Sequence, residues 1–138
     1  MREILFKAKR LDNGEWVEGF CVNISNKHLY IFTGKLDISN GYLDLEKYSV
    51  GPKTLCQYTG LTDKNGNKIW ENDAVRYEDD LVNMVKVDLI GWNETHAAFT
   101  ILADEKGNMK YYYIDEFIAS NFEVIGNIFD NPELMKNE

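Results

Sequence analysis

The short segment between Leu61 and Ile69 constrains the fold more than any other part of the sequence. Residues 63–67 read DKNGN, and the Asn65-Gly66 pair readily supplies positive φ values at both of its positions. Apolar residues on both sides of such a pair predict two antiparallel strands joined by a tight turn. The chain therefore has to reverse direction here, which favours a β fold.

Asn72-Asp73 interrupts the strand pattern between Trp70 and Val75, because Asn and Asp are both disfavoured in strands. Asn tolerates a left-handed backbone, and an Asp side chain can accept hydrogen bonds from nearby backbone N–H groups. The pair predicts a bend that leads into the next strand.

The polar residues of this stretch are interpreted as turn and bend residues rather than as catalytic or metal-binding groups. An EF-hand loop that began at Asp63 would need Gly at its sixth position and Glu at its twelfth, where this chain has Lys68 and Ala74. The set interpreted as structural comprises Asp63, Asn65, Gly66, Asn72 and Asp73.

The N-terminal part is predicted to form a β module of its own. Asp12-Asn13-Gly14 separates two segments of alternating polarity, residues 3–10 and 15–22, and so predicts a hairpin. Two further strands are predicted at residues 29–32 and 42–48, with a loop at 33–41 that includes Ser39 and Asn40. Gly51-Pro52 ends this part, and a boundary near Leu55 gives predicted domains 1–55 and 56–138.

The C-terminal part is predicted to be a strand, a three-strand meander, a helical turn and a closing strand. This order is typical of an SH3-like β-barrel, and Asn131-Pro132-Glu133 predicts a short helical turn near the C-terminus. The predicted segments are 74–77, 84–92, 96–102 and 109–114 for the strands, 115–119 for the helical turn and 122–129 for the closing strand.

Two motifs resemble those of a known family. QYTGLTDKNGNKIWENDAVR, residues 57–76, and FEVIGNIFDNPEL, residues 122–134, resemble blocks of the YopX-like phage protein family, and the N-terminal MREI and FKA resemble its usual start. Asn72 stands where that family commonly has Gly, and Asn is the next most tolerant residue at positive φ. The resemblance implies an all-β protein of bacteriophages and prophages, with an SH3-like barrel in its C-terminal part. It supplies no catalytic or ligand residues.

Composition narrows the functional classes. The chain has 138 residues, 44% of them hydrophobic, and a net charge of −8. It has no apolar run long enough to span a membrane and no signal-peptide pattern at its N-terminus, so a cytoplasmic protein is expected. The negative charge disfavours direct binding to nucleic acid. Cys21 and Cys56 stand far apart without a CxxC motif, so neither zinc nor any other cofactor is predicted.

Catalytic motifs are lacking in the sequence. GxGxxG, GxxxxGK[ST], HExxH and GxSxG do not occur, and neither His28 nor His96 has a partner at a triad or metal-ligand spacing. An enzyme is therefore not predicted. The acidic run Glu78-Asp79-Asp80 is interpreted as a solvated loop, with an interaction loop as the alternative.

Aromatic residues are the feature most typical of a recognition surface, because amphipathic rings exposed in a groove can bind peptides or bases. Three consecutive tyrosines in a strand have to place rings on both faces of a sheet. A ligand groove, a self-association surface and a face covered by the N-terminal module all remain open. The candidate partner-binding residues are Trp70, Tyr77, Trp92, Tyr111, Tyr112 and Tyr113, with Phe117 beside them.

Three functions follow as hypotheses. The first is a non-enzymatic scaffold that binds a protein partner or a second copy of itself as a homo-oligomer. The second is an acidic mimic of nucleic acid that inhibits a host DNA-acting protein, which rests on the charge of −8 and on the acidic loop at Glu78-Asp79-Asp80. The third is a nucleic-acid-binding SH3-like barrel, which requires a local basic stripe.

Overall fold

A computed structural model describes residues 2–25, 28–37, 41–105 and 107–135. It contains two compact units, Met1–Tyr58 and Thr59–Glu138. Both units are built almost entirely from antiparallel strands, so the predicted all-β class is confirmed.

The first unit forms an antiparallel sheet with the strand order β4-β3-β2-β1-β5. Its strands are β1 (Phe6–Lys9), β2 (Trp16–Ser25), β3 (His28–Asp37), β4 (Tyr42–Val50) and β5 (Cys56–Thr62), and a 3₁₀ turn at Pro52–Thr54 precedes β5. Strand β5 begins in this unit and ends in the second.

The predicted first hairpin is present, and Gly14 at its turn has a φ of 73°. The predicted loop at residues 33–41 is corrected. Strand β3 continues to Asp37 and pairs with β4 from Tyr42 onward, so the cross-strand hydrogen bonds override the turn propensity of Gly34. Ser39 and Asn40 lie outside the described residues. Side chains from β1, β3 and β4 form the core of this unit, namely Ala8, Leu29, Ile31 and Val50.

The second unit contains a five-stranded antiparallel sheet with the order β10-β9-β8-β7-β11. Its elements are β6 (Lys68–Trp70), β7 (Asp73–Asp79), β8 (Met84–Asn93), β9 (Ala98–Glu105), β10 (Asn108–Tyr113), the helical turn α1 (Glu116–Ala119), β11 (Glu123–Asn127) and a 3₁₀ turn at Pro132–Met135. The predicted order of strand, meander, helical turn and closing strand is confirmed. Closure of this sheet into an SH3-like barrel stays a prediction.

Two connections in this unit have clear local causes. Asp115 caps α1, because its carboxylate accepts a hydrogen bond of 2.8 Å from the backbone N–H of Ile118. Gly126 lies where the pairing of β11 with β7 shifts register, and a Cβ on Gly126 would lie 2.4 Å from the Oδ1 of Asn131. The absence of a side chain there lets the C-terminal turn pack against β11.

One apolar core fills the inner face of the second unit's sheet. It consists of Ile69, Val75, Ile90, Ile101, Ala119 and Phe122. Within the described ranges, the structure contains no helix that is both long and apolar enough to cross a bilayer.

Candidate functional site

The turn at residues 63–67 is organised by the carboxylate of Asp63. Its Oδ1 accepts hydrogen bonds from the backbone N–H groups of Asn65 and Asn67 at 2.9 and 2.8 Å. The backbone N–H of Gly66 bonds to the carbonyl of Asp63, and Gly66 has a φ of 82°. Asn65 does not have positive φ, which corrects the expectation for the Asn-Gly pair. The carboxylate holds a tight turn that needs only one left-handed residue.

Asp63 also connects this turn to the closing strand. Its Oδ2 accepts a hydrogen bond of 3.0 Å from the backbone N–H of Val124 in β11. Burial by itself would raise the pKa of Asp63, but the N–H groups of Val124, Asn67 and Asn65 outweigh burial and lower that pKa. Asp63 is therefore an ionised structural anchor.

The predicted bend at Asn72-Asp73 is present. Asn72 has a φ of 73°, and the carboxylate of Asp73 accepts a hydrogen bond of 2.8 Å from the backbone N–H of Trp70. The backbone of Asn72 bonds to the carbonyl of Ile90 on one side and to the N–H of Ile128 on the other. These contacts fix where β7 begins, and β7 supplies Tyr77 to the floor of a groove in this unit.

An open groove of about 620 Å³ lies between the β7–β8 hairpin and α1. Its floor is formed by Tyr77, Ile101 and Phe122, and the rings of Tyr77 and Phe122 lie 5.4 Å apart between centroids. Phe117 and Ile118 of α1 add apolar side chains beside this floor, and Val85 lines the groove from the other face of the sheet, where it stands opposite Glu78. The rim is polar and carries both signs of charge, because Lys64, Arg76, Glu78 and Asp80 line it.

Tyr77 is fixed in the floor of this groove. Its hydroxyl donates a hydrogen bond of 2.5 Å to Asp88 on β8. Burial, followed by the hydrogen bond to Asp88 and the charges of Asp88 and Asp79, raises the pKa of Tyr77 well above its usual value. The phenol therefore stays neutral and serves as a structural part of the floor.

Large apolar side chains project into solvent from the two elements that border this groove. Phe117 on α1 is 78% exposed, and Leu81 at the tip of the β7–β8 hairpin is 96% exposed. Val82, Met84 and Val85 of the same hairpin are also exposed. Large contiguous apolar patches on a protein surface are typical of interaction sites.

The three tyrosines of β10 lie on both faces of the sheet, as the sequence predicted. Tyr112 stands opposite Ile101, on the face that carries the core, and Tyr111 stands opposite Leu102 on the other face. Tyr113 shares that outer face, and all three tyrosines are exposed. Tyr111 and Tyr113 therefore lie on the side of the sheet opposite to the groove floor.

The remaining predicted partner-binding residues do not join one surface. Trp70 is buried, with 5% exposure, because the bend at Asp73 holds its backbone at the core. Its ring is therefore not presented to a partner. Trp92 is partly exposed near the end of β8, where its ring meets that of Phe99 edge to face at 4.9 Å.

The first unit contains a second open cavity, of about 570 Å³. Phe20 and Phe32 line it, and they stand opposite each other on β2 and β3. Glu18 and Glu46 bring carboxylates to the same cavity. An aromatic pair with two acids is unlike a phosphate-binding surface, because it repels anions.

His96 and the two cysteines have structural surroundings. His96 makes a contact of 3.3 Å to Asn93 and packs its ring edge to face with that of Tyr113. Cys56 is buried, and burial raises the pKa of the Cys21 thiol. Among the described residues, no group of three or more His, Cys, Asp or Glu side chains is arranged to hold a metal ion.

The sequence reasoning missed the apolar tip of the β7–β8 hairpin. Leu81 and Val82 follow the acidic run and were assigned no role from the sequence. The available signal was Asn83, which has a φ of 52° in the structure and is a residue type common in turns. A turn at Asn83 would have placed Leu81 and Val82 at an exposed hairpin tip.

Comparisons with known proteins agree with this architecture. The crystal structure of protein EF1440 from Enterococcus faecalis is similar to the chain, with a TM-score of 0.53 over 99% of this chain and 100% of that one. At 21% identity this likeness concerns the fold alone. No curated protein matches the chain. The model of the family described as YopX protein matches residues 5–136, so the chain belongs to the YopX family.

Proposed function

We propose that the protein is a non-enzymatic module that binds a protein partner or a second copy of itself through the groove between the β7–β8 hairpin and α1. The observation that carries this proposal is the exposure of Phe117, which lines the groove beside an apolar floor. Leu81 is also exposed, and it directly follows Asp80, another residue that lines the groove. Water would be displaced from these side chains on binding, and burial of apolar surface contributes about 25 cal/mol per Å². A polar rim around an apolar centre is the usual anatomy of a protein interface.

The use of the carboxylates supports a binding role over a catalytic one. Asp63 and Asp73 are buried and accept hydrogen bonds from backbone N–H groups, and Asp88 accepts one from Tyr77. A general acid or base needs a carboxyl group that can reach a substrate proton. These carboxyl groups are committed to turns and to the floor of the groove instead.

The resemblance of the sequence motifs to phage proteins supports a phage or prophage origin. A partner would then be met in the cytoplasm of a bacterial host. Bacterial cells that carry the phage are therefore the place to look for a partner.

The proposal is tested with Leu81→Ser and Phe117→Ser, which change exposed side chains and should leave the fold intact. Light scattering over a concentration series reports self-association, and co-purification from cells that carry the phage reports a protein partner. We expect the wild-type protein either to self-associate or to retain a protein partner, and we expect both variants to lose that interaction. Leu11→Ser is the matched control, because Leu11 is also exposed but lies in the first unit.

Circular dichroism and the thermal midpoint establish that the variants are folded. A wild-type protein that is monomeric at every concentration and retains no partner would contradict the proposal. Variants that keep the wild-type assembly or partner would move the interaction to another surface, such as the outer face with Tyr111 and Tyr113.

A further inference from the structure

Negative charge is divided unevenly between the two units. Met1–Tyr58 contains eight Lys and Arg against seven Asp and Glu, whereas Thr59–Glu138 contains seven Lys and Arg against sixteen Asp and Glu. The charge of −8 therefore comes from the unit that contains the groove. A charged cleft attracts partners of the opposite sign and raises their rate of association.

The cations near the groove are already paired with carboxylates. Lys64 and Arg76 both form ion pairs with Glu123, the first at 3.3 Å. Lys86 binds Asp79 at 2.8 Å, and this contact lowers the pKa of Asp79. These three cations leave little positive charge to offset other acids at the rim.

Other acids stand beside the exposed apolar anchors without such a partner. Glu78 and Asp80 line the groove, and neither forms an ion pair in the part of the chain that the structure describes. Asp80 directly precedes Leu81 in the sequence, and Glu116 directly precedes Phe117. Each of the most exposed apolar side chains therefore has an exposed carboxylate next to it.

We propose that this groove binds a basic segment of a protein, in which a large apolar side chain is flanked by Lys or Arg. The apolar side chain packs beside Phe117 and Ile118 and rests on Tyr77 and Phe122. The flanking cations reach Glu78, Asp80 and Glu116. The proposal rests on the proposed function of the groove as a protein-binding surface, and charge complementarity selects the class of partner.

Two other occupants fit the charges less well. A second copy of the chain would bring the same acids to the same groove, so its association would strengthen as salt screens the repulsion. Nucleic acid would meet carboxylates rather than cations at the rim. Binding of a basic segment should instead weaken as salt is added, because salt screens the attraction between unlike charges. Its salt dependence is therefore opposite to that of self-association.

The test titrates the protein into fluorescein-labelled synthetic peptides and follows fluorescence anisotropy at low and high salt. One peptide has leucines flanked by lysines, a second has glutamates in place of the lysines, and a third has serines in place of the leucines. We expect only the first to bind, and more weakly at high salt. Leu81→Ser and Phe117→Ser should each weaken its binding by about tenfold or more, as expected for interface anchors.

The charges are tested with the double variant Glu78→Gln and Asp80→Asn, which should weaken binding of the first peptide about threefold to tenfold, mostly at low salt. The control is Glu94→Gln with Glu133→Gln, which removes two exposed carboxylates from other turns of the same unit. This control variant should bind as wild type does at matched salt.

Equal binding of the lysine and glutamate peptides would overturn the charge selection and leave the groove as a protein-binding surface. Two outcomes would contradict the groove as the binding site: equal binding of the leucine and serine peptides, and binding unaffected by Leu81→Ser and Phe117→Ser. Either would show that the peptides are attracted to the acidic surface as a whole. Binding of none of the peptides would overturn the inference, and the proposed function would then be judged on light scattering and co-purification alone.

Discussion

The Oδ2 of Asp63 lies 3.0 Å from the backbone nitrogen of Val124, and 61 residues separate these two in the sequence. A side chain in the central hairpin turn therefore fastens the closing strand of the second unit. The same carboxylate orders its own turn through Asn65 and Asn67. One ionised group thus joins local turn geometry to the tertiary fold.

Asp63→Asn is expected to destabilise the protein by about 2 kcal/mol, because a carboxamide can't accept as many hydrogen bonds from the three N–H groups. The measurement is urea unfolding followed by circular dichroism, and the midpoint should fall with little change in slope. Asp80→Asn, at an exposed carboxylate, is the matched control. An unchanged midpoint for Asp63→Asn would contradict the anchoring role.

Acid is expected to remove the same contribution. The folded pKa of Asp63 is lowered, so its stabilising effect is present above the unfolded value of about 3.9 and is lost as pH falls through the folded pKa. The difference in unfolding free energy between wild type and Asp63→Asn should therefore shrink as pH falls below about 4. A constant difference across that range would show that the lowered pKa contributes nothing.

Substitutions of Asn72 are expected to follow its φ of 73°. Asn72→Gly should change stability by less than about 0.5 kcal/mol, because Gly adopts this conformation without strain. Asn72→Ala should cost about 1 kcal/mol, because Ala keeps the Cβ that crowds the backbone here and lacks the polar side chain that stabilises Asn in this conformation. Thermal unfolding distinguishes the two variants. Asn65→Ala is the control, since Asn65 lies in the neighbouring turn without positive φ. Equal stability of Asn72→Ala and Asn72→Gly would contradict the left-handed bend.

Gly19 is expected to tolerate no side chain. A Cβ on Gly19 would lie 2.1 Å from the backbone oxygen of Phe32, so the strands β2 and β3 would have to move apart. Gly19→Ala should cost about 2 kcal/mol or more. Gly51→Ala is the control, because a Cβ there meets its nearest atom at 3.6 Å. Urea unfolding midpoints measure the stability of both variants. A mild effect of Gly19→Ala would show that β2 and β3 lie further apart than the distance to Phe32 indicates.

The raised pKa of Tyr77 predicts loss of stability in alkali. Above about pH 10 the unfolded chain releases the proton of this phenol while the folded protein retains it, so unfolding is favoured as pH rises. Tyr77→Phe should remove this part of the pH dependence, although it loses the hydrogen bond to Asp88. Urea unfolding at a series of pH values from neutral to alkaline measures this pH dependence. Tyr111→Phe is the control, because it removes a hydroxyl that is exposed. Identical pH dependence in wild type and Tyr77→Phe would refute the assignment.

Local chemistry made most of the fold predictable. The turn at Gly66, the bend at Asn72 and the helical connector capped by Asp115 each depend on contacts within a few residues or on backbone freedom. The loop expected at residues 33–41 was wrong in its first half, because pairing with β4 extends β3 to Asp37. Cross-strand pairing is a long-range contact that local propensity does not contain.

The candidate site was only partly predictable. Alternation placed the tyrosines of β10 on both faces, but it could not show that Trp70 is buried while Leu81 and Phe117 are exposed. These three residues have similar apolar character, and their burial depends on which elements pack over them. The groove exists because α1 and the β7–β8 hairpin lie beside each other, although α1 follows the tip of that hairpin by more than thirty residues.

The sequence by itself determined the all-β class, the order of elements in the second unit and the positions of its main turns, because positive φ and alternating polarity are properties of short segments. Only the tertiary structure decided that Asp63 holds Val124, which apolar side chains remain in solvent, and which cations near the groove are already paired. Burial and ion pairing depend on distances between residues far apart in the chain, and those distances arise only when the sheet has formed.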